Sequence, residues 1–388
     1  MSFGPRNNTT WLIGLLVILL AGCSTPTALP TPSATAAVTI SPTPLPTSTS
    51  TPTLTPTPIR TPPTLPSSYQ SSLLNPLDTS HAYIQDTCHY LHDKWSSTNS
   101  TPGTVVMVVM FHSIGGETSG NQISKADFHA LMQALHDNGF QTITTSQLAE
   151  FLENNIKIPS RSVVLILDDR RPGTVSLEFM PYLNDYNWTL TLAWPIGAGD
   201  DSTDKKPASN VLPGENFTNL WEQMEAYNAT GRLDIQAHGV VHYPILAGSS
   251  DAYIRGELQG SIDAIKQHFN KVPIAFIWPG GNFTPRAVEM ARQLGYQLGF
   301  TVNPRGPLMF DWVPLSDVND PRRPSWIPEG SVNDPLLVLP RYWDTDAIIH
   351  LDEVTQISQE AAVYAEQNKA TELEYYDIVC SPTYGPIP

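Results

Sequence analysis

Three short stretches of this sequence bring together side chains that could do chemistry. Asp168 and Asp169 follow the apolar run Val163–Leu167. Successive side chains of a strand point to opposite faces, so two adjacent carboxylates at a strand end can take different jobs. Helix capping by one and solvation of the other is the alternative use of such a pair. His238 and His242 lie four residues apart, which puts both imidazoles on one face if the segment is helical. His112 closes a third apolar run, Val105–Phe111. A carboxylate and two imidazoles at separate strand ends, with open coordination positions, suit Zn²⁺, Co²⁺, Ni²⁺ or Fe²⁺ and point to a metal site.

Such residues work together only if a frame converges the ends of several strands. The β-branched run 105–111 reads as a buried parallel strand, followed by a helix from Ser124 to Asn138 that Gly139 stops. The pattern continues with a helix at 146–154, a strand at 162–167, a helix at 175–186, a strand at 188–193, a Gly/Asp-rich loop to Glu215 and a helix at 219–229. A strand at 233–237, a helix at 251–269, a strand at 274–278, a helix at 285–294 and a strand at 297–302 complete it. Serial βα units imply an α/β fold with right-handed crossovers, either a (β/α) barrel of parallel strands inside outer helices or a doubly wound sheet. In a barrel the C-terminal strand ends share one mouth, and His112, Asp168, Asp169, His238 and Pro279-Gly280 all follow predicted strands. The barrel is expected to occupy residues 78–345, and residues 346–388, with a helix at 352–368, to pack on it.

Charge excludes one partner class. All 37 Asp and Glu lie from Asp78 onward against 19 of the 21 Lys and Arg, so the folded part carries a formal −18. Nucleic acid recognition needs clustered basic charge and is not expected; neutral or amino-bearing glycans stay open. Arg6 precedes an uncharged apolar run from Trp11 to Ala21, too short to span a bilayer roughly 30 Å thick, and it reads as a signal segment. Its end, Leu20-Ala21-Gly22-Cys23, resembles the lipobox of bacterial lipoproteins, which makes residues 1–23 a lipoprotein signal peptide, Cys23 the lipidated residue and the protein extracytoplasmic and membrane-anchored. An ordinary secretory signal is the alternative. Residues 24–77 begin with Thr-Pro and Ser-Pro repeats and read as an extended linker. Cys88 and Cys380 read as a disulfide in an exported chain, worth nominally about 4 to 5 kcal/mol by loop entropy, with two buried thiols as the alternative.

In their order and spacing these motifs resemble the polysaccharide deacetylases of the NodB-homology type, carbohydrate esterase family 4, from about Val105 to Arg341. Leu167-Asp168-Asp169 is similar to the family's T-F-D-D-G stretch, His238 to His242 to its H-S/T-x-x-x-H motif, and Phe276 to Gly281 to F-x-Y-P-x-G. Gly295-Tyr296 with Gly299-Phe300-Thr301 resembles the stretch that follows, and Met110 to Ile114 resembles the Y-H-x-I strand end of the branch that includes poly-β-1,6-N-acetylglucosamine deacetylases. The resemblance implies a distorted NodB-type barrel that removes N-acetyl groups from an N-acetylhexosamine-containing cell-envelope or extracellular polysaccharide, and the protein is expected to be a monomer. It implies a divalent transition metal, Zn²⁺ with Co²⁺ or Ni²⁺ as alternatives, on Asp169, His238 and His242, with Asp168 as general base. His112 is assigned as general acid, with a hydrogen-bonding role in the barrel rim as the alternative. Trp278, Pro279 and Gly280 are assigned to substrate, together with Arg170.

The sequence also departs from the family. Arg170 and Arg171 stand where a small residue is usual, Ile277 replaces the Arg of R-x-P-x-G, and Leu337 to Arg341 ends in Arg where the late L-x-H motif ends in His. Arg170 would then block the site, weaken Asp168 or take over its orientation. A degenerate barrel that binds glycan without turnover is the rival function. A glycosidase using Asp200, Asp201 and Glu215 is a third reading, and it would need two carboxylates about 5 to 10 Å apart and no metal.

Overall fold

The computed structural model describes residues 60–321 and 327–388. The signal-like run, Cys23 and the linker as far as residue 59 lie outside the described residues. Seven short strands form the frame: β1 (Val105–Phe111), β2 (Arg161–Asp168), β3 (Leu190–Trp194), β4 (Leu233–Ala237), β5 (Ala275–Ile277), β6 (Leu298–Phe300) and β7 (Tyr342–Trp343). They pair in the order β6-β5-β4-β3-β2-β1-β7, every pair parallel, with Gln141–Thr142 beside β2. All seven residues of β1 are buried, as expected of a strand covered on both faces.

The sheet curls until its two edges share one segment. Phe300 of β6 bridges Leu339, and three residues later Tyr342 and Trp343 pair with Val109 and Met110 of β1. The chain from Leu339 to Trp343 therefore links both edges and leads Arg341 into the interior. This is a curled sheet of parallel strands, the barrel-like one of the two architectures expected from the serial βα units.

The helices begin where the local chemistry dictates. In α1 (Thr87–Trp95) the Asp86 carboxylate accepts the N–H groups of Cys88 and His89. Ser124 caps α2 (Lys125–Asp137), and a reciprocal Thr144–Gln147 capping box opens α3 (Thr145–Asn154). Asn219 caps α4 (Leu220–Asn228), Ser250 caps α5 (Asp251–Phe269), and Thr284 caps α6 (Pro285–Gln293) with Pro at its first position. The helix expected at 175–186 is instead a run from 172 to 185 containing a π-helical turn, Val175–Phe179. Pro181 explains it: with no N–H to give, it breaks the regular ladder, and the Met180 N–H reaches back to Val175.

Both ends of the described chain are tied down. Residues 60–77, assigned to the linker from composition, lie against α7 (Leu351–Tyr375): the Tyr364 hydroxyl donates to Ser67 O at 2.6 Å and the Tyr69 hydroxyl to Glu360 at 3.1 Å. Asp78–His81 pairs antiparallel with Val313–Ser316. Helix α7 is longer than the 352–368 expected and buries Leu351, Val354, Ile357, Ala361 and Ala365. Gly103 lets it approach, since a Cβ there would sit 2.7 Å from the Cβ of Ala362. Cys88 on α1 and Cys380 beyond α7 are disulfide-bonded, with Cα atoms 5.3 Å apart.

Candidate active site

The mouth of the barrel starts at the end of β2. Asp168 is the last strand residue and points inward, 2% exposed. Asp169 then turns the chain with φ 71°, a left-handed conformation that costs a non-glycine residue about 1 to 2 kcal/mol. Such strain concentrates at functional sites, where the surrounding structure imposes it. The turn brings one Asp169 oxygen, Oδ1, to the histidines, while Oδ2 accepts from Arg171 Nη2 at 3.1 Å.

His238 and His242 reach Asp169 from a loop, not from the helix that would have set them on one face. Gly239 (φ 84°) and His242 (φ 58°) both take left-handed conformations that curl the segment into an arc. His238 Nδ1 donates to Ile277 O at 2.8 Å, which leaves Nε2 with its lone pair facing the mouth. The two Nε2 atoms lie 3.0 Å apart, and Asp169 Oδ1 is 3.1 Å from that of His242 and 3.9 Å from that of His238. Burial holds the His238 imidazole well below its ordinary pKa, against the pull of Asp168, so it is neutral at pH 7. Two ring nitrogens and a carboxylate, all within 4.8 Å of one another, fit a divalent transition metal with open coordination positions. The Ile277 carbonyl supplies the outer hydrogen bond that metal-binding histidines normally have.

Beside this triad lies an ion pair absent from the sequence reading. Arg341 is 1% exposed and donates from Nη1 to Asp168 Oδ1 at 2.7 Å, from Nη2 to Oδ2 at 3.1 Å and from Nε to Thr301 O at 2.6 Å. Burial would push the Asp168 carboxyl up, but Arg341 foremost, with His238 and His112, brings it down to about 2. Asp168 is therefore ionised and its plane is fixed by a two-pronged contact. The signal was present in the sequence: a lone arginine after the apolar run Leu336–Leu339 must find a buried anion, because an unpaired buried cation is prohibitively costly.

His112, at the end of β1, places Nε2 3.6 Å from Asp168 Oδ2 and stacks on Trp343 with ring centroids 5.8 Å apart. Burial lowers its pKa, although Asp168 opposes this. Its Nδ1 is buried with no hydrogen-bond partner among the described residues. Asp344, also missed from sequence, follows β7 at the same rim; neither carboxyl oxygen meets a donor in hydrogen-bond geometry. Burial pushes Asp344 up to about 7, and the nearby N–H groups of Thr345 and His112 offset this only in part.

Three sequence assignments need correction. Trp278 is fully buried and its Nε1 donates to Leu337 O at 2.8 Å, so it belongs to the core and offers no face to a sugar. Pro279 is buried too, and only Gly280 of that turn is exposed. Arg170 neither blocks the mouth nor touches Asp168: after the left-handed Asp169 its Nη2 pairs with Asp201 at 2.8 Å, across Gly197. The glycosidase candidates are occupied elsewhere: Asp201 with Arg170 and Lys206, Asp200 with Lys205, and Glu215 with the Leu212 N–H and the Tyr227 hydroxyl.

Residues 155–299, which contain the paired aspartates and the histidine arc, match the family model for polysaccharide deacetylase. That segment is similar to polysaccharide deacetylases. Its relatives include the Bacillus subtilis (strain 168) protein YxkH, 26% identical over 199 residues that make up 51% of this chain and 64% of YxkH. The poly-beta-1,6-N-acetyl-D-glucosamine N-deacetylase of Escherichia coli (strain K12) is 23% identical over 232 residues, 52% of this chain and 34% of that enzyme. The chain thus spans just under two thirds of the first and about one third of the second. The fold is similar to that of the Streptococcus pyogenes deacetylase PplD, solved in complex with acetate, with TM-score 0.50 at 20% identity, covering 66% of this chain and 99% of that one.

Proposed function

We propose that this domain is a catalytically competent deacetylase and that the protein removes N-acetyl groups from an N-acetylhexosamine-containing glycan of the cell envelope or extracellular matrix, using Zn²⁺, or Co²⁺ or Ni²⁺ in its place. The observation that carries this reading is the convergence of Asp169, His238 and His242 beside an Asp168 that Arg341 fixes in its ionised form. Asp169, His238 and His242 would hold the dication, whose Lewis acidity would polarise the amide carbonyl and acidify a water.

The chain's own residues do the rest. Asp168 accepts the proton of the attacking water as its oxygen bonds to the carbonyl carbon. Its low proton affinity suits a water already made acidic, and Arg341 keeps the acceptor oxygens aimed. His112, with Nε2 3.6 Å from Asp168 Oδ2, takes up the proton that Asp168 received and passes it to the departing nitrogen as the C–N bond breaks, so the products are acetate and a free amine on the sugar. The bulky Arg170 had favoured a closed, non-catalytic site, and its pairing with Asp201 removes that argument.

Metal content of the full chain, measured beside His238→Ala/His242→Ala, tests the reading together with acetate release from N-acetylglucosamine oligomers. About one equivalent of metal and metal-dependent acetate release, both lost in the double variant, are expected. No metal after incubation with Zn²⁺, Co²⁺ or Ni²⁺ refutes it. We also propose that the protein acts as a monomer outside the cytoplasm, anchored in the membrane by a lipid on Cys23. The lipobox-like end of the signal run and the Cys88–Cys380 bond support this location. Cys23→Ser should move the protein from the membrane to the soluble fraction.

A further inference from the structure

We infer that Glu257, on α5, is the positioning residue of the histidine arc: its carboxylate fills the anion-binding hollow formed by the backbone of residues 240–242 and so sets both imidazoles on one metal. The inference rests on the metal reading above for its consequence, but the contact itself is independent of it.

Glu257 is only 3% exposed. Its Oε2 accepts from the Val240 N–H at 2.8 Å, and both oxygens accept from the Val241 N–H, at 3.2 and 3.1 Å. The His242 N–H lies in the same hollow and pulls on the same carboxylate. Successive N–H groups converging on one point occur where the chain departs from regular structure, and they bind an anion. Here the anion is supplied by the protein's own helix. No cation pairs with Glu257 among the described residues; its hydrogen bonds go to loop backbone.

The fit extends along the face of α5. Gly239 is tight against the carboxylate, since a Cβ there would lie 2.6 Å from Glu257 Oε2. One turn on, a Cβ at Gly260 would meet Val240 Cγ2 at 2.7 Å, so the missing side chain is what seats Val240. One turn back, the Tyr253 hydroxyl donates to Tyr243 O at 3.2 Å. Tyr253, Glu257 and Gly260 fall at i, i+4 and i+7, a single stripe of the helix. That stripe holds the backbone from Gly239 to Tyr243, the whole span between and just beyond the two ligands. An arc with two left-handed residues has no internal hydrogen-bond ladder to keep its shape, and here α5 provides the template.

The test uses the full chain as wild type, Glu257→Ala, Glu257→Gln and, as a same-helix control, Asp263→Ala, whose carboxylate is exposed and accepts from Gln259. Two quantities are read: the Zn²⁺ dissociation constant by competition with a chromophoric chelator, and amide hydrogen exchange of residues 239–243 in metal-free protein. Outer partners of metal ligands are typically worth about 10- to 100-fold in metal affinity, and a loss of that order is expected for Glu257→Ala, with faster exchange at 240–242. Glu257→Gln keeps the reach and one acceptor oxygen but loses the charge and the other, so it should show a smaller but measurable change in both, while Asp263→Ala matches wild type. Should Glu257→Ala fail to fold, Glu257→Gln still decides, because faster exchange confined to 240–242 is expected of it and unchanged exchange overturns the inference. Wild-type Zn²⁺ affinity in Glu257→Ala also overturns it. If the wild-type chain binds no Zn²⁺, the metal reading fails, and the exchange comparison alone then upholds or overturns the role of Glu257.

Discussion

Replacing Arg341 by Met tests the energetics of the site without reference to turnover. The side chain is 1% exposed, its two terminal nitrogens bind Asp168 at 2.7 and 3.1 Å, and its Nε serves Thr301 O. Methionine fills much of the volume but strands a buried carboxylate and a carbonyl. Breaking a buried pair from one side costs about 3 to 5 kcal/mol. For the roughly 320 described residues, at about 2.1 cal/mol/K of unfolding entropy each, that corresponds to a drop in Tm of about 4 to 7 °C. Urea unfolding at pH 7 should show the same loss as a lower midpoint with unchanged slope. Asp168→Asn in the Arg341→Met background removes the stranded charge, so the double variant should recover about 1 to 3 kcal/mol relative to Arg341→Met alone. Arg341→Lys, which keeps the charge but loses the fork, should fall between wild type and Met. A loss below about 1 kcal/mol in Arg341→Met, or a double variant no more stable than the single, would falsify the claim that this pair is buried and coupled.

Three further outcomes follow from the structure. Asp344 is raised from 3.8 to about 7, so folding takes up a proton there: its neutral form is favoured below pH 4, and stability falls as pH rises from about 4 through 7. Asp344→Asn should therefore add up to about 4 kcal/mol at pH 8 and change little at pH 4, as read by urea midpoints; equal effects at both pH values would contradict the assignment. Opening the Cys88–Cys380 bond, 292 residues apart, by Cys88→Ser/Cys380→Ser should cost about 2 to 5 kcal/mol, and calorimetry of the pair variant measures it. Arg170→Gly removes the clasp on Asp201 but no group at the mouth, so protease cleavage in the 196–206 loop should quicken while acetate release stays within about two-fold of wild type, a large gain being the mark of a blocked pocket.

The elements were legible from one end of the barrel to the other because their signals are local. A valine-rich run such as 105–111 can only be a buried strand in a chain of this pattern, and Ser124, Thr144 and Thr284 mark helix starts through bonds to N–H groups three residues away. The paired aspartates and the His-x-x-x-His spacing were legible too, since each group lies within five residues. The helical geometry behind the histidine spacing was not what formed: Gly239 and His242 curl the chain instead, and Glu257 stabilises the curl from a helix that sequence pattern does not connect to it.

What the sequence by itself determined was most of the strands and helices, their alternation, and the candidate cation-binding set Asp169, His238 and His242. What only the tertiary structure decided was the partner of each charge. Arg170 is two residues from Asp168 and points elsewhere, because the left-handed Asp169 turns the chain toward Asp201. Arg341 is 173 residues away and is the true partner, because the segment that links the two edges of the sheet carries it into the interior. Trp278, apolar and at a strand end, packed inward for the same reason that Arg341 arrived: closing the barrel buries whatever faces its axis, and a buried group keeps only the partners that closure brings within reach.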